Sequence, residues 1–338
     1  MQSTSDKHTL ARKVRFDPDY LPAFEAKMFV EGPRSARLLT NFFVLLLLAT
    51  VIATYGVLSS STATVIGAMI VAPLMGPIMA TAAAVVMGSS RRTLRSLGLV
   101  VAGIASVILL SIVLTWIVPD VTISLTENAE IASRISPNLY ALLTALAAGA
   151  AGAFIMGREE IADSMGGVAI AISLVPPLCV VGIALSQGEW GAAGGAMLLF
   201  LTNFFAILLA GGFVFILGGL GGLATADNQT RMRRNAFILI AVATLLVAIP
   251  LSVTTYQAVV AALDSKEATG VTEQWLEGTA NRVVAITVND RLVIVTVEGA
   301  GELRPLRELA DRLATTLGHP VLVNLRTIPT QSEASTGN

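Results

Sequence analysis

Between residues 38 and 90 the sequence contains no Asp, Glu, Lys, Arg or His. A hydrocarbon core about 30 Å thick is crossed by about 20 apolar residues in a helix. This run is too long for one crossing and has room for two. The first, 38–58, ends at the polar tract Ser59-Ser60-Ser61-Thr62, and the second, 63–88, ends before Arg91 and Arg92. Further charge-free runs cover 97–118, 138–156, 166–186, 194–217 and 236–260, giving seven candidate spans. Any one of them could be the buried core helix of a soluble protein, but seven with polar breaks between them exceed what such a core uses. Composition agrees. Soluble domains carry about 25% charged residues, whereas this chain has 13%, with 54% hydrophobic residues and the charge gathered at the ends and between the apolar blocks. The expected fold class is an all-α polytopic membrane bundle of about seven transmembrane helices, followed by a small α+β soluble domain.

Lys and Arg in the loops set the orientation. Arg12, Lys13, Arg15, Lys27, Arg34 and Arg37 precede the first span. Arg91, Arg92 and Arg95, then Arg158, then Arg231, Arg233 and Arg234 lie in alternate loops. The opposite loops hold Arg134 alone, beside Asp120, Glu127, Glu130 and Glu189. This bias puts the N-terminus in the cytoplasm. Seven spans then put the C-terminal domain outside, and one span more or fewer would reverse it. No cleavable signal is evident in the polar first 37 residues. Residues 1–37 read as a cytoplasmic tail, or as a short interfacial helix with Leu21, Phe24, Met28 and Phe29 near one face. Residues 38–262 form the transmembrane domain, 263–330 the soluble domain and 331–338 a disordered tail. Within the soluble part, 264–276 is a short helix or linker. The β-branched runs 283–288 and 292–297 make a hairpin. Leu303, Leu306, Leu309, Leu313 and Leu317 recur at helical spacing up to Gly318, and 321–328 supplies a third strand.

Two spans carry proline at mid-length. The second reads Gly67 to Ala72 and then Pro73-Leu74-Met75-Gly76-Pro77; the fifth reads Gly167 to Val175 and then Pro176-Pro177. Proline removes an amide donor and clashes with the preceding turn. The freed carbonyls survive at membrane depth only where they are buried in protein or line a wet cavity. A simple kink packed against neighbours is the plain alternative. Asn41 opens span 1 and Asn138 opens span 4, each followed one span later by a proline-broken segment. Spans 1–3 and 4–6 therefore read as two copies of a three-helix unit in opposite orientation, a 3+3 inverted repeat. A rival match pairs Leu39-Thr40-Asn41-Phe42-Phe43 with Leu201-Thr202-Asn203-Phe204-Phe205.

Polar residues inside the spans are few. Asn41, Ser61, Thr64, Asn138, Ser173, Thr202 and Asn203, with the backbone at Pro73, Gly76, Pro77, Pro176 and Pro177, form the expected solute or ion pathway between spans 2 and 5. Such amides and hydroxyls also serve as interhelical glue worth on the order of 1 kcal/mol each. Glu159, Glu160 and Asp163 would attract cations to a cytoplasmic mouth, or are simply a solvated loop. The only histidines, His8 and His319, lie outside the spans, and no span holds an acidic dyad. An intramembrane hydrolase is thus not expected, nor is an ATP-driven pump, since no phosphate-binding Gly-rich loop occurs. No cofactor and no metal are expected, the net charge of −1 points to no nucleic-acid partner, and the lone Cys179 says nothing about redox compartment. Membrane lipids and an unnamed small solute or ion are the expected partners, and a homo-oligomer stays open.

The segments 65–77, Ser136-Pro137-Asn138-Leu139, 167–177 and Leu199-Phe200-Leu201-Thr202-Asn203 resemble the DUF389 family of bacterial and archaeal hydrophobic membrane proteins. The resemblance spans about residues 35–220. It implies a multi-pass protein of a prokaryotic inner membrane and names no substrate. Some family members carry a sizeable soluble N-terminal domain, for which this chain has a short tail. The leading expectation is a passive or secondary transporter, or a channel. The rival is a membrane scaffold or sensor whose C-terminal domain binds a partner.

Overall fold

The computed structural model describes residues 16–118, 128–135, 138–161, 174–223, 229–289, 292–299 and 301–328. The chain divides into two compact units, Met1–Ser252 and Val253–Asn338. The first is helical. A 3-10 turn, Pro18–Tyr20, is capped by Asp17, whose Oδ1 accepts from the Asp19 amide at 3.0 Å. Helix α1, Leu21–Met28, follows with Pro22 in its first turn, where a missing amide costs nothing. Phe24 in this helix and Phe16, Tyr20 and Phe29 around it are all in the core of the bundle, and the Phe24 ring meets Phe215 edge-on at 5.8 Å.

Helix α2, Ser35–Leu58, leads into a broken segment. Helix α3, Thr62–Val71, starts where the Ser61 hydroxyl accepts from the Thr64 amide. Its last bond runs from Ala72 N to Ala68 O, because Pro73 has no amide hydrogen for the Met69 carbonyl. Ala72 is extended, as a residue before proline prefers. Helix α4, Met75–Val86, then starts with Pro77 in its first turn, at 47° to α3. Ten and 12 residues rise about 15 and 18 Å, so the two halves together reach about the 30 Å of a hydrocarbon core.

Helix α5, Ser90–Ile117, the short α6, Ala129–Ile135, and α7, Leu139–Met156, follow. Helix α8, Val175–Ser186, has Pro176 and Pro177 in its first turn, so the double proline expected to interrupt a span stands at the start of a helix. The residues before it, 162–173, lie outside the described residues. Helix α9, Trp190–Leu217, closes the core. Both α5 and α9 pack against α4 and against α8, while α2 lies on α5 and α7 on α9. The two 12-residue half-helices are thus innermost. All of α8 from Val175 to Ala184, and all of α4 except Gly76, are buried.

By length and composition α2, α5, α7 and α9 can each cross a membrane, and the bent pair α3–α4 makes a fifth candidate. The sequence led to about seven. Among the described residues α8 has only 12 residues, and the apolar run 236–260 lies within a 48-residue helix, α10, Gln229–Leu276. The segment 264–276, read as a separate helix or linker, is the end of α10. Its Asp-Ser-Lys-Glu-Ala stretch offers no proline to stop the helix.

In the second unit, β1, Asn281–Asn289, pairs antiparallel with β2, Leu292–Gly299, and β2 pairs parallel with β3, Leu322–Ile328. Helix α11, Leu306–Leu317, connects β2 to β3 and ends at Gly318 with φ +74°. The expected hairpin, helix and third strand are all present. Alternation along β2 sends Val293, Val295 and Val297 into a core with Trp275, Leu309 and Leu313.

Candidate functional site

The break between α3 and α4 lies at the floor of a crevice of about 310 Å³. Pro73, Gly76, Pro77 and Ala80 form the floor, Asn41, Phe42 and Leu45 one wall, Ser96 and Leu99 another. The last turn of α1 and the strap after it, Lys27 to Glu31, line it as well. Arg92 holds that strap: its Nη2 lies 3.0 Å from Glu25 Oε2 and 3.2 Å from Glu31 Oε2, and its guanidinium stacks 4.5 Å from the Phe29 ring centre. Arg95 lies one helical turn further along α5 and also lines the crevice. A Cβ added to Gly76 would meet nothing within 4 Å, so the floor there is open.

Of the residues singled out in the sequence, Asn41, Pro73, Gly76 and Pro77 come together here. The others do not. Asn138 is exposed and caps α7, accepting from the Ala141 amide at 3.1 Å. Ser61 and Thr64 cap α3 and pair with each other at 2.8 Å. The Thr202 hydroxyl turns back to the Leu198 carbonyl at 2.7 Å, and the neighbouring Asn203 is buried and partnered. Pro176 and Pro177 are buried. Glu159 and Glu160 are exposed and line a separate depression of about 880 Å³ with Asp17 and Arg158. Ser173 and Asp163 lie outside the described residues.

Two polar clusters escaped the sequence reading. In one, Thr54 on α2 donates to the Ser111 hydroxyl on α5 at 3.2 Å, and Ser111 donates to the Cys179 carbonyl on α8 at 2.9 Å. All three are buried, so each hydroxyl is satisfied within the bundle. The other cluster lies at α6. Asn128 Oδ1 caps that helix by accepting from the Glu130 and Ile131 amides, and its Nδ2 donates to the Val57 carbonyl at 2.8 Å. Glu130 accepts from Thr62 and pairs with Arg134 at 2.8 Å, with side chains only 8% and 13% exposed. The i, i+4 spacing of Glu130 and Arg134 was the available signal. In the sequence alone they read as loop charges.

The two halves of the bundle also correspond in number. A shift of 100 positions carries Met75–Val86 onto Val175–Ser186 and Ser90–Ile117 onto Trp190–Leu217. Both turns between them use a left-handed glycine, Gly88 at φ +71° and Gly188 at φ +75°. Both close with the same bond, Ser89 N to Ala84 O and Glu189 N to Ala184 O, each 2.9 Å. Contacts are reciprocal as well. Ser111 meets position 179, and Gly211 lies where a Cβ would come 3.0 Å from the Met79 methyl. The short helices follow suit, α1 packing on α4 and α6 on α8.

Comparison with known sequences places a domain of unknown function, DUF389, on residues 69–209, from the end of α3 into α9. Those residues are a DUF389 domain. It takes in the break, both buried half-helices and α5 to α7, while α1, α2 and the C-terminal unit lie beyond it. An uncharacterized protein of the archaeon Methanocaldococcus jannaschii is 31% identical over 214 residues, which is 63% of this chain. The match spans 65% of that relative's length. No solved structure matches the chain. The chain is a multi-pass membrane protein by its helices, and the DUF389 domain itself carries no assigned activity.

Proposed function

We propose that the chain is a passive or secondary transporter, or a channel, for a small solute or ion, working at the break between α3 and α4. The crevice that ends on Pro73, Gly76 and Pro77 carries this reading. Broken backbone at membrane depth needs burial or a cavity, and here a crevice reaches it. The 100-residue correspondence supports it further. A unit of three spans is odd, so its second copy runs the other way, and inverted repeats with discontinuous helices at their interface are a recurrent transporter design.

In this reading the spans number seven. The charge-free runs 166–186 and 236–260 are counted as the fifth and the seventh. Pro176 and Pro177, 100 positions after Gly76 and Pro77, are the counterpart of the first break in this reading. The end of the bundle carrying Arg92 and Arg95 faces the cytoplasm, which puts the C-terminal unit outside. No covalent chemistry is assigned to the chain. Burial of α8 from Val175 to Ala184 is what a scaffold or sensor would also show, and the same experiment separates the two. Purified protein in liposomes is assayed with a panel of solutes and ions. Flux above empty vesicles that Gly76→Leu blocks is expected. Folded protein that passes no cargo sinks the reading and leaves the scaffold.

A further inference from the structure

We infer that the crevice binds a single-tailed organic monoanion, a carboxylate or similar acid on a short hydrocarbon body; this rests on the transport reading and names its cargo class. The argument starts from charge. Lys27, Arg92 and Arg95 line the crevice against one carboxylate, Glu31. Arg92 is committed to Glu25 and Glu31. Arg95 is exposed and has no carboxylate partner among the described residues, so it offers a guanidinium fork to an anionic head group.

The interior selects the rest of the molecule. Asn41 and Ser96 are its uncharged polar side chains, and Leu38, Phe42, Leu45, Leu99, Pro73 and Ala80 make the walls. A cation would meet guanidinium groups at the mouth. A sugar or other polyol would leave hydroxyls unpaired against hydrocarbon, each at a cost. An alkyl or aryl body gains from the same walls. The volume, about 310 Å³, is at the small end of small-molecule sites and excludes a two-chain phospholipid as a whole.

Direct binding tests this. The full chain is placed in nanodiscs of zwitterionic phosphatidylcholine, and saturable binding of radiolabelled decanoate is measured. Decanol and decyltrimethylammonium, with the same tail and no negative charge, are the competitors. Saturable decanoate binding that neither competitor displaces is expected. Arg95→Gln should weaken it roughly tenfold, the worth of one charge-assisted hydrogen bond. Gly76→Leu should abolish it by filling the open floor, with the thermal midpoint unchanged. The inference is overturned if binding never saturates, if the cationic analogue competes equally, if both variants bind like wild type, or if only vesicles rich in phosphatidylglycerol engage Arg95. Decanoate flux is read separately in liposomes. Binding without flux removes the transporter and keeps the site, whereas flux of another solute without decanoate binding does the reverse.

Discussion

Arg92 latches the strap over the crevice, and its removal should loosen α1 without unfolding the bundle. The side chains of Arg92, Glu25 and Glu31 are 23%, 29% and 38% exposed, so solvent screens both ion pairs. Each such pair contributes up to about 1 kcal/mol, and stacking of the guanidinium on Phe29 adds about 0.5–1 kcal/mol. Arg92→Ala therefore costs the docked strap about 2 kcal/mol, or roughly a 30-fold rise in its open population. The strap stays mostly closed, because Phe16, Tyr20, Phe24 and Phe29 remain buried. Hydrogen exchange on protein in nanodiscs reads the change. Amides of residues 24–31 should exchange roughly 30-fold faster, at the value derived from the latch energy, while α8 and α9 keep their protection. Glu25→Gln with Glu31→Gln should reproduce much of the effect. Arg92→Lys should recover part of it, since an ammonium keeps the charge but loses the fork and the planar stack. Unchanged exchange in the strap would refute the latch. Faster exchange throughout the bundle would show that Arg92 holds the fold and not the strap.

Three further outcomes follow from close contacts. Gly182→Ala puts a methyl group 2.7 Å from Ser111 Cβ and 2.8 Å from the Ile108 carbonyl. It should cost about 1–3 kcal/mol by overpacking in thermal unfolding, with Gly76→Ala close to neutral. Gly88→Ala and Gly188→Ala each force a side chain into the left-handed region and should cost about 1 kcal/mol apiece; clearly unequal losses of stability would argue against equivalence of the two turns. Glu130→Ala strands a buried Arg134 and should destabilise by about 3–5 kcal/mol, read as a lower thermal midpoint, whereas removing both charges should restore part of the loss.

The C-terminal unit shows how far local pattern reaches. Strand alternation, the leucine spacing of 303–317 and the stop at Gly318 each depend on neighbours within a few residues, so hairpin, helix and third strand were legible. Proline at 73 likewise dictated a helix break, because the missing amide is a property of the residue itself. The clustering of polar residues was not legible in this way. Asn41 and Asn138 look alike in sequence, yet one lines the crevice and the other caps a helix. Ser111 and Thr54 are 57 positions apart and ordinary in their surroundings, and only packing of α5 on α2 makes them partners.

The amino-acid order by itself determined the apolar runs long enough to enter a membrane, and that two of them carry proline, since hydrophobicity and proline act through the chain's own covalent structure. Only the tertiary structure decided that one break opens onto a crevice while the other proline pair is buried, that an arginine on α5 clasps α1, and that a charged pair is sheltered beside α3. Those outcomes depend on which helix faces meet, and in an apolar bundle almost any face can meet any other until small residues and shape choose among them.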